Sequence, residues 1–112
     1  MRFALALFVT SLIFSTTGFA EPYCSPTGLV DDQNLVHSLG SGIVTYSGYD
    51  PQTKKTIRVS QSGGLVVSYG NLGQIFVEIG QKIKATDVIA RLQNQDLLLS
   101  MSVNSQPICG AR

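Results

Sequence analysis

Hydrophobic and polar positions along this chain fall into two unlike regimes. Behind Arg2, apolar residues run almost unbroken from Phe3 to Phe14, and Ser15 to Ala20 are small or polar, closing on Gly18-Phe19-Ala20. A positive start, an apolar stretch of about twelve residues and a small-residue end describe a cleavable export signal over residues 1–20. That stretch is well short of the roughly 20 residues of a spanning helix, so no transmembrane anchor is expected. Glu21-Pro22-Tyr23 ahead of Cys24 lack the small apolar pattern of a lipidation site. Residues 21–112 then form one domain, since 92 residues (112 less 20) are too few for two independent cores.

Within that domain the pattern changes twice. Leu29, Val36 and Leu39 recur at roughly helical intervals with Asp31 and Asp32 suited to a first turn, which predicts one short helix over Val30 to Ser38. From Gly42 onward, short β-branched and aromatic runs alternate with Gly, Asn and Asp. The predicted strands are Ile43 to Ser47, Thr56 to Ser60, Leu65 to Tyr69, Ile75 to Ile79, Val88 to Leu92 and Leu97 to Val103. In the second, period-two alternation places Ile57 and Val59 inward and Thr56, Arg58 and Ser60 toward water. Ser62-Gly63-Gly64 and Asp50-Pro51-Gln52-Thr53 read as turns. Six or more short strands with tight turns imply an all-β sandwich or barrel-like sheet.

Charge and cysteine usage narrow the function. Residues 21–112 carry seven basic and seven acidic side chains, without the basic excess or stripe that nucleic-acid binding needs. Cys24 and Cys109 lie near the two ends of the exported segment, and an even count there favours a disulfide between them, against unpaired thiols or a bond to a partner. Serines are plentiful, but the single histidine, His37, lies in no motif that pairs it with a nucleophile. No phosphate-cradling glycine loop precedes a helix.

The stretch Val77 to Leu92 sets two short strands on either side of a tight excursion around Gly80 and Lys84. It resembles the hammerhead-like turn of lipoyl and biotinyl carriers, efflux-pump adaptor subunits and lysostaphin-type (LytM-like) zinc endopeptidases. The flanks choose among these. Ser41-Gly42-Ile43-Val44 with Ser47-Gly48 resembles the opening strand of the lysostaphin-type domain, and Gly64 through Tyr69-Gly70-Asn71-Leu72 resembles its next hairpin. Leu97 to Pro107 resembles its last strand and tail. Lys54-Lys55 lacks the flanks of a modifiable carrier lysine, and no heptad pattern supplies an adaptor's helical hairpin. The resemblance covers about Leu35 to Pro107 and implies a small barrel-sandwich hybrid, or duplicated hybrid motif, of about six or more strands.

Such peptidases hold zinc with an early histidine and aspartate four residues apart and a late histidine, and a metal-bound water attacks the peptide. Here the early pair falls on Tyr23 and Thr27, the late motif on Asp96-Leu97-Leu98, and a further histidine position on Asn71. Several histidines are required and the chain has one. His37 reads as a surface or turn residue, and Asp31 and Asp32 as a solvated or capping pair. The resemblance therefore implies a periplasmic or secreted pseudoenzyme with no metal or cofactor. It would bind in the cell envelope, with peptidoglycan or a cell-wall hydrolase as partner. Tyr69, Asn71 and Asp96 are the expected groove residues, with Lys54 and Lys55 on the opposite side. The alternatives are a small structural subunit of an envelope or secretion assembly, meeting its partner through edge strands, and a divergent peptidoglycan hydrolase.

Overall fold

Where the sequence alternates, the chain pleats. The computed structural model of the protein describes residues 23–110, so the expected export signal lies outside the described residues. Among these residues nine strands follow in order: β1 (Leu35–His37), β2 (Gly42–Asp50), β3 (Lys54–Ser60), β4 (Leu65–Gly70), β5 (Gln74–Ile75), β6 (Lys82–Ile83), β7 (Val88–Arg91), β8 (Leu98–Val103) and β9 (Gln106–Cys109). They form a six-stranded sheet, β6-β2-β3-β4-β8-β9, and a three-stranded sheet, β1-β7-β5. Every pairing is antiparallel. The expected all-β sandwich-like fold is what the chain adopts.

Register places the core between the sheets. Ile57 pairs with Tyr69 and Tyr69 with Leu99, while Val59 pairs with Val67, so one face of β3, β4 and β8 is apolar. These five side chains are fully buried, with Val36, Ile89 and Ala90 of the small sheet packed into the same cluster. Burying a Val, Leu, Ile or Phe side chain contributes about 1.5–3 kcal/mol each. Among the described residues no helix is long and apolar enough to cross a membrane.

The helix expected over Val30 to Ser38 is a turn followed by β1. The Asp31 carboxylate accepts the backbone N–H groups of Gln33 at 2.9 Å and Leu35 at 3.0 Å, and Asn34 takes a left-handed conformation (φ 65°). A short acidic side chain that satisfies nearby N–H groups stabilises a turn against a helix. Val30 then bridges Val36, and the apolar spacing that read as helical packs a reversal onto the small sheet.

The strand expected over Ile75 to Ile79 is also corrected. Only Gln74–Ile75 forms a ladder, because the chain then leaves for the large sheet: Ser47 Oγ donates to the Val77 carbonyl at 2.9 Å and Gly80 N–H to Val44 O at 2.7 Å. Gly80 sits at φ 91°, a conformation glycine adopts without a steric penalty. This crossing and β6 make up the hammerhead-like excursion.

Cys24 and Cys109 are joined, with their Cα atoms 5.2 Å apart. Cys24 N–H also donates to Leu99 O at 2.7 Å, so the bond fixes the start of the domain across β8 to β9.

Candidate functional site

Opposite the core, the large sheet presents the other half of its alternation. Tyr46, Arg58, Ser68 and Ser100 are successive cross-strand partners, making one polar row over β2, β3, β4 and β8. At about 4.8 Å between strands, the row is about 14 Å long. Ser60, Val66 and Ser102 make the next row on one side. An open cavity of about 350 Å³ lies over this face, lined by Arg58, Ser68, Ser100 and Ser102 together with Tyr23 and Pro107. The disulfide sets two of its walls, because Tyr23 precedes Cys24 and Pro107 lies two residues before Cys109.

Arg58 is held in place from two directions. Its Nη2 donates to Asp50 Oδ2 at 2.8 Å, and the guanidinium carbon lies 4.8 Å from the centre of the Tyr46 ring. The other Asp50 oxygen accepts Gln52 N–H at 2.8 Å and Thr53 N–H at 3.2 Å, which closes the β2–β3 turn. Those contacts, the Gln52 N–H first and the Arg58 guanidinium next, hold the Asp50 carboxyl below its ordinary pKa.

The far end of the same face is roofed by that turn. Thr53 Oγ1 and Thr56 Oγ1 are 2.7 Å apart, Thr56 donates to Lys54 O at 2.8 Å, and Asn71 N–H donates to Thr53 O at 2.5 Å. A Cβ on Gly70 would lie 2.7 Å from Thr53 Cβ, so the turn sits this close only because residue 70 is glycine. Thr56 is consequently fully buried, against the expectation that it faces water. The turn lies over Gly70, whose cross-strand partner is Leu98 of the late motif.

The three groove residues expected from sequence do not form one site. Tyr69 is fully buried, and its hydroxyl accepts Leu39 N–H at 2.8 Å, so it stabilises the core and lines no groove. Asn71 and Asp96 are brought together: Asn71 Nδ2 donates to Asp96 O at 2.9 Å, and Gln95 Nε2 donates to Asn71 O at 3.0 Å. Lys54 and Lys55 line the same open depression as Asn71, not the opposite side, and Lys55 Nζ donates to Gly73 O at 3.0 Å. Arg58, Ser68, Ser100 and Ser102 were not singled out. Their signal was their alternation with Val59, Val67, Tyr69 and Leu99.

The residues at the zinc positions do not fit the metal. Tyr23, Thr27, Asn71 and Leu98 offer no imidazole, thiolate or carboxylate, and Asp96 supplies the one carboxylate at those positions. Among the described residues no three His, Cys, Asp or Glu side chains cluster as a metal site would. His37 is engaged elsewhere, on β1: Nε2 lies 2.9 Å from Asp31 Oδ2 and Nδ1 2.9 Å from the Thr86 carbonyl oxygen. Both neighbours are acceptors, and only the imidazolium carries two N–H donors. The Asp31 contact first, then Thr86, raises the His37 pKa above its ordinary 6.5, and His37 in turn lowers Asp31 below 3.8.

A pH dependence follows from those directions. The raised histidine stabilises fully below pH 6.5 and loses its contribution as pH climbs through its folded pKa. The depressed aspartate stabilises above 3.8 and loses its contribution as pH falls through its folded pKa. His37→Gln should therefore lower the melting temperature more at about pH 5.5 than at about pH 8.5. A constant gap between the two proteins across that range would remove the ion pair from the account.

The model of peptidase family M23 matches residues 29–107. No curated protein matches the chain. Among solved structures, CbpA from L. salivarius REN is 29% identical at a TM-score of 0.56, over 61% of this chain and 46% of that one. A zinc containing peptidase from Vibrio cholerae is 21% identical at a TM-score of 0.59, over 70% and 26%. A SpoIIQ-SpoIIIAH pore forming complex holds a chain 24% identical at a TM-score of 0.55, over 61% and 48%. This chain spans less than half the length of each. With the family model matching well over half of its 112 residues, the chain belongs to peptidase family M23.

Proposed function

We propose that this M23 domain is exported and binds in the cell envelope without cutting, with the outer face of its large sheet against peptidoglycan. The observation that carries the reading is the donor set. One histidine serves the whole chain, and it is committed to Asp31 and Thr86 on the small sheet. A zinc hydrolase needs at least three protein ligands around an open metal position. The β2–β3 turn over Gly70 supports the same reading, because it takes up space beside Leu98. The open, serine-rich end beside Arg58 is left for a ligand. The Cys24–Cys109 bond is compatible with an oxidising compartment outside the cytoplasm.

A second reading, a structural subunit of an envelope assembly, draws on two observations. One solved neighbour belongs to a pore forming complex, and edge strand β9 carries an exposed Ile108 (60%). Sedimentation with purified peptidoglycan sacculi separates the readings. Retention of the protein is expected, and Ser100→Tyr, which fills the cavity, should weaken it at least about tenfold. Ile108→Glu should leave retention unchanged. The reverse pattern assigns the contact to β9 and sinks the groove.

A further inference from the structure

We propose that the cavity beside Arg58 is a carboxylate site, taking the free terminal carboxylate of a short, small-residue stem peptide of the cell wall. The proposal rests on the binding function above and adds to it the group recognised and the residue that recognises it. Among the described residues lining the cavity, Arg58 is the one cation. Its guanidinium has five N–H donors in a rigid fork. Asp50 takes a donor on Nη2 and the Tyr46 ring covers one face. Among the described residues no other acceptor is bonded to the guanidinium, which leaves in-plane donors for an incoming ligand. A planar two-oxygen acceptor matches such an edge better than a single carbonyl does.

The obvious objection is Asp50, the one acid among the described lining residues. Its charge is shared between the turn's backbone N–H groups and Arg58, so a ligand meets the pair through the guanidinium's remaining N–H donors. One oxygen accepts two backbone N–H groups and the other accepts Arg58. It therefore positions the guanidinium, and its own oxygens face donors of the turn.

The rest of the row suits a peptide behind that carboxylate. Ser68 and Ser100 continue from Arg58 at strand spacing, and among the described residues their hydroxyls have no hydrogen-bond partner. A hydroxyl both donates and accepts, as alternating peptide N–H and C=O groups require. Serine side chains are short, so they leave room for a ligand backbone to approach the sheet closely. The volume of about 350 Å³ lies at the lower end of small-ligand clefts, about 300–1,000 Å³.

The experiment is calorimetric titration of the purified protein with N-acetyl-D-alanyl-D-alanine, as the free acid and as its C-terminal amide. The acid should bind at least about tenfold tighter, the scale of a hydrogen bond to a charged group. Arg58→Gln should abolish that preference, and Arg58→Lys should restore only part of it. The comparison of acid with amide on the unmodified protein decides the matter even if a variant fails to fold. Equal affinity for acid and amide, or no binding of either, overturns the site. N-acetyl-L-alanyl-L-alanine, titrated alongside as the free acid, should bind more weakly; a preference for it overturns the cell-wall source and points to a protein C-terminus. Sacculus retention without acid preference leaves the binding function standing and removes this site. Acid preference without retention does the opposite.

Discussion

Tyr69→Ala is expected to destabilise the domain by about 3–5 kcal/mol, the scale of removing a fully buried aromatic side chain. Tyr69 has no exposed surface and lies between Ile57 and Leu99 on the inner face of the large sheet. Its hydroxyl is also the acceptor for Leu39 N–H, a contact that ties the segment after β1 to the large sheet. Truncation therefore opens a cavity and strands a donor at once. A small domain has about 5–15 kcal/mol of total stability, so the variant should be partly unfolded near physiological temperature. Tyr69→Phe isolates the hydroxyl and should cost about 1–2 kcal/mol. Urea midpoints measure both. An alanine variant within about 0.5 kcal/mol of the parent would put Tyr69 on the surface, where such changes are nearly neutral.

Removing the Cys24–Cys109 bond should cost about 4–5 kcal/mol. The cysteines are 85 residues apart, and closing a loop of that length removes a large share of the unfolded chain's freedom. The loss is not confined to the unfolded state, since the bond places Tyr23 and Pro107 around the cavity on the outer face. Cys24→Ser with Cys109→Ser should lower stability and weaken ligand retention together. Thermal melting with and without reductant gives the first quantity, and non-reducing peptide mapping should recover Cys24 and Cys109 as one linked pair. Free labelling of both thiols by maleimide in the purified protein would withdraw the constraint and the energy with it.

Most of the fold was legible because period-two alternation survives wherever one face of a strand is buried. Ile57 and Val59, and again Val67 and Tyr69, lie inward in β3 and β4 as their spacing indicates. What failed depends on contacts distant in sequence or on side chains that cap. Thr56 reads as a solvent-facing residue of a half-buried strand until Thr53 folds over it. The segment from Val30 reads as a helix start until the Asp31 carboxylate closes a turn. Strands β1, β6 and β9 are too short, at three, two and four residues, to carry an alternation of their own. Tyr69 was misread for a related reason. Tyr69, Asn71 and Asp96 were chosen by their place in a family motif, and motif position does not say which face of the sheet a side chain takes. The same alternation that buries Tyr69 turns Ser68 and Ser100 outward beside Arg58.

Binding and cutting can be measured on one sample. Purified protein is incubated with dye-labelled sacculi at rising zinc concentration, the suspension is sedimented, and protein in the pellet and dye in the supernatant are both quantified. Without a ligand set for zinc, dye release should stay at the level of buffer alone at every zinc concentration, while the protein stays with the pellet. Zinc-dependent release of soluble label, abolished by a chelator and restored by metal, would contradict the account and make this domain a hydrolase with ligands other than those of its family.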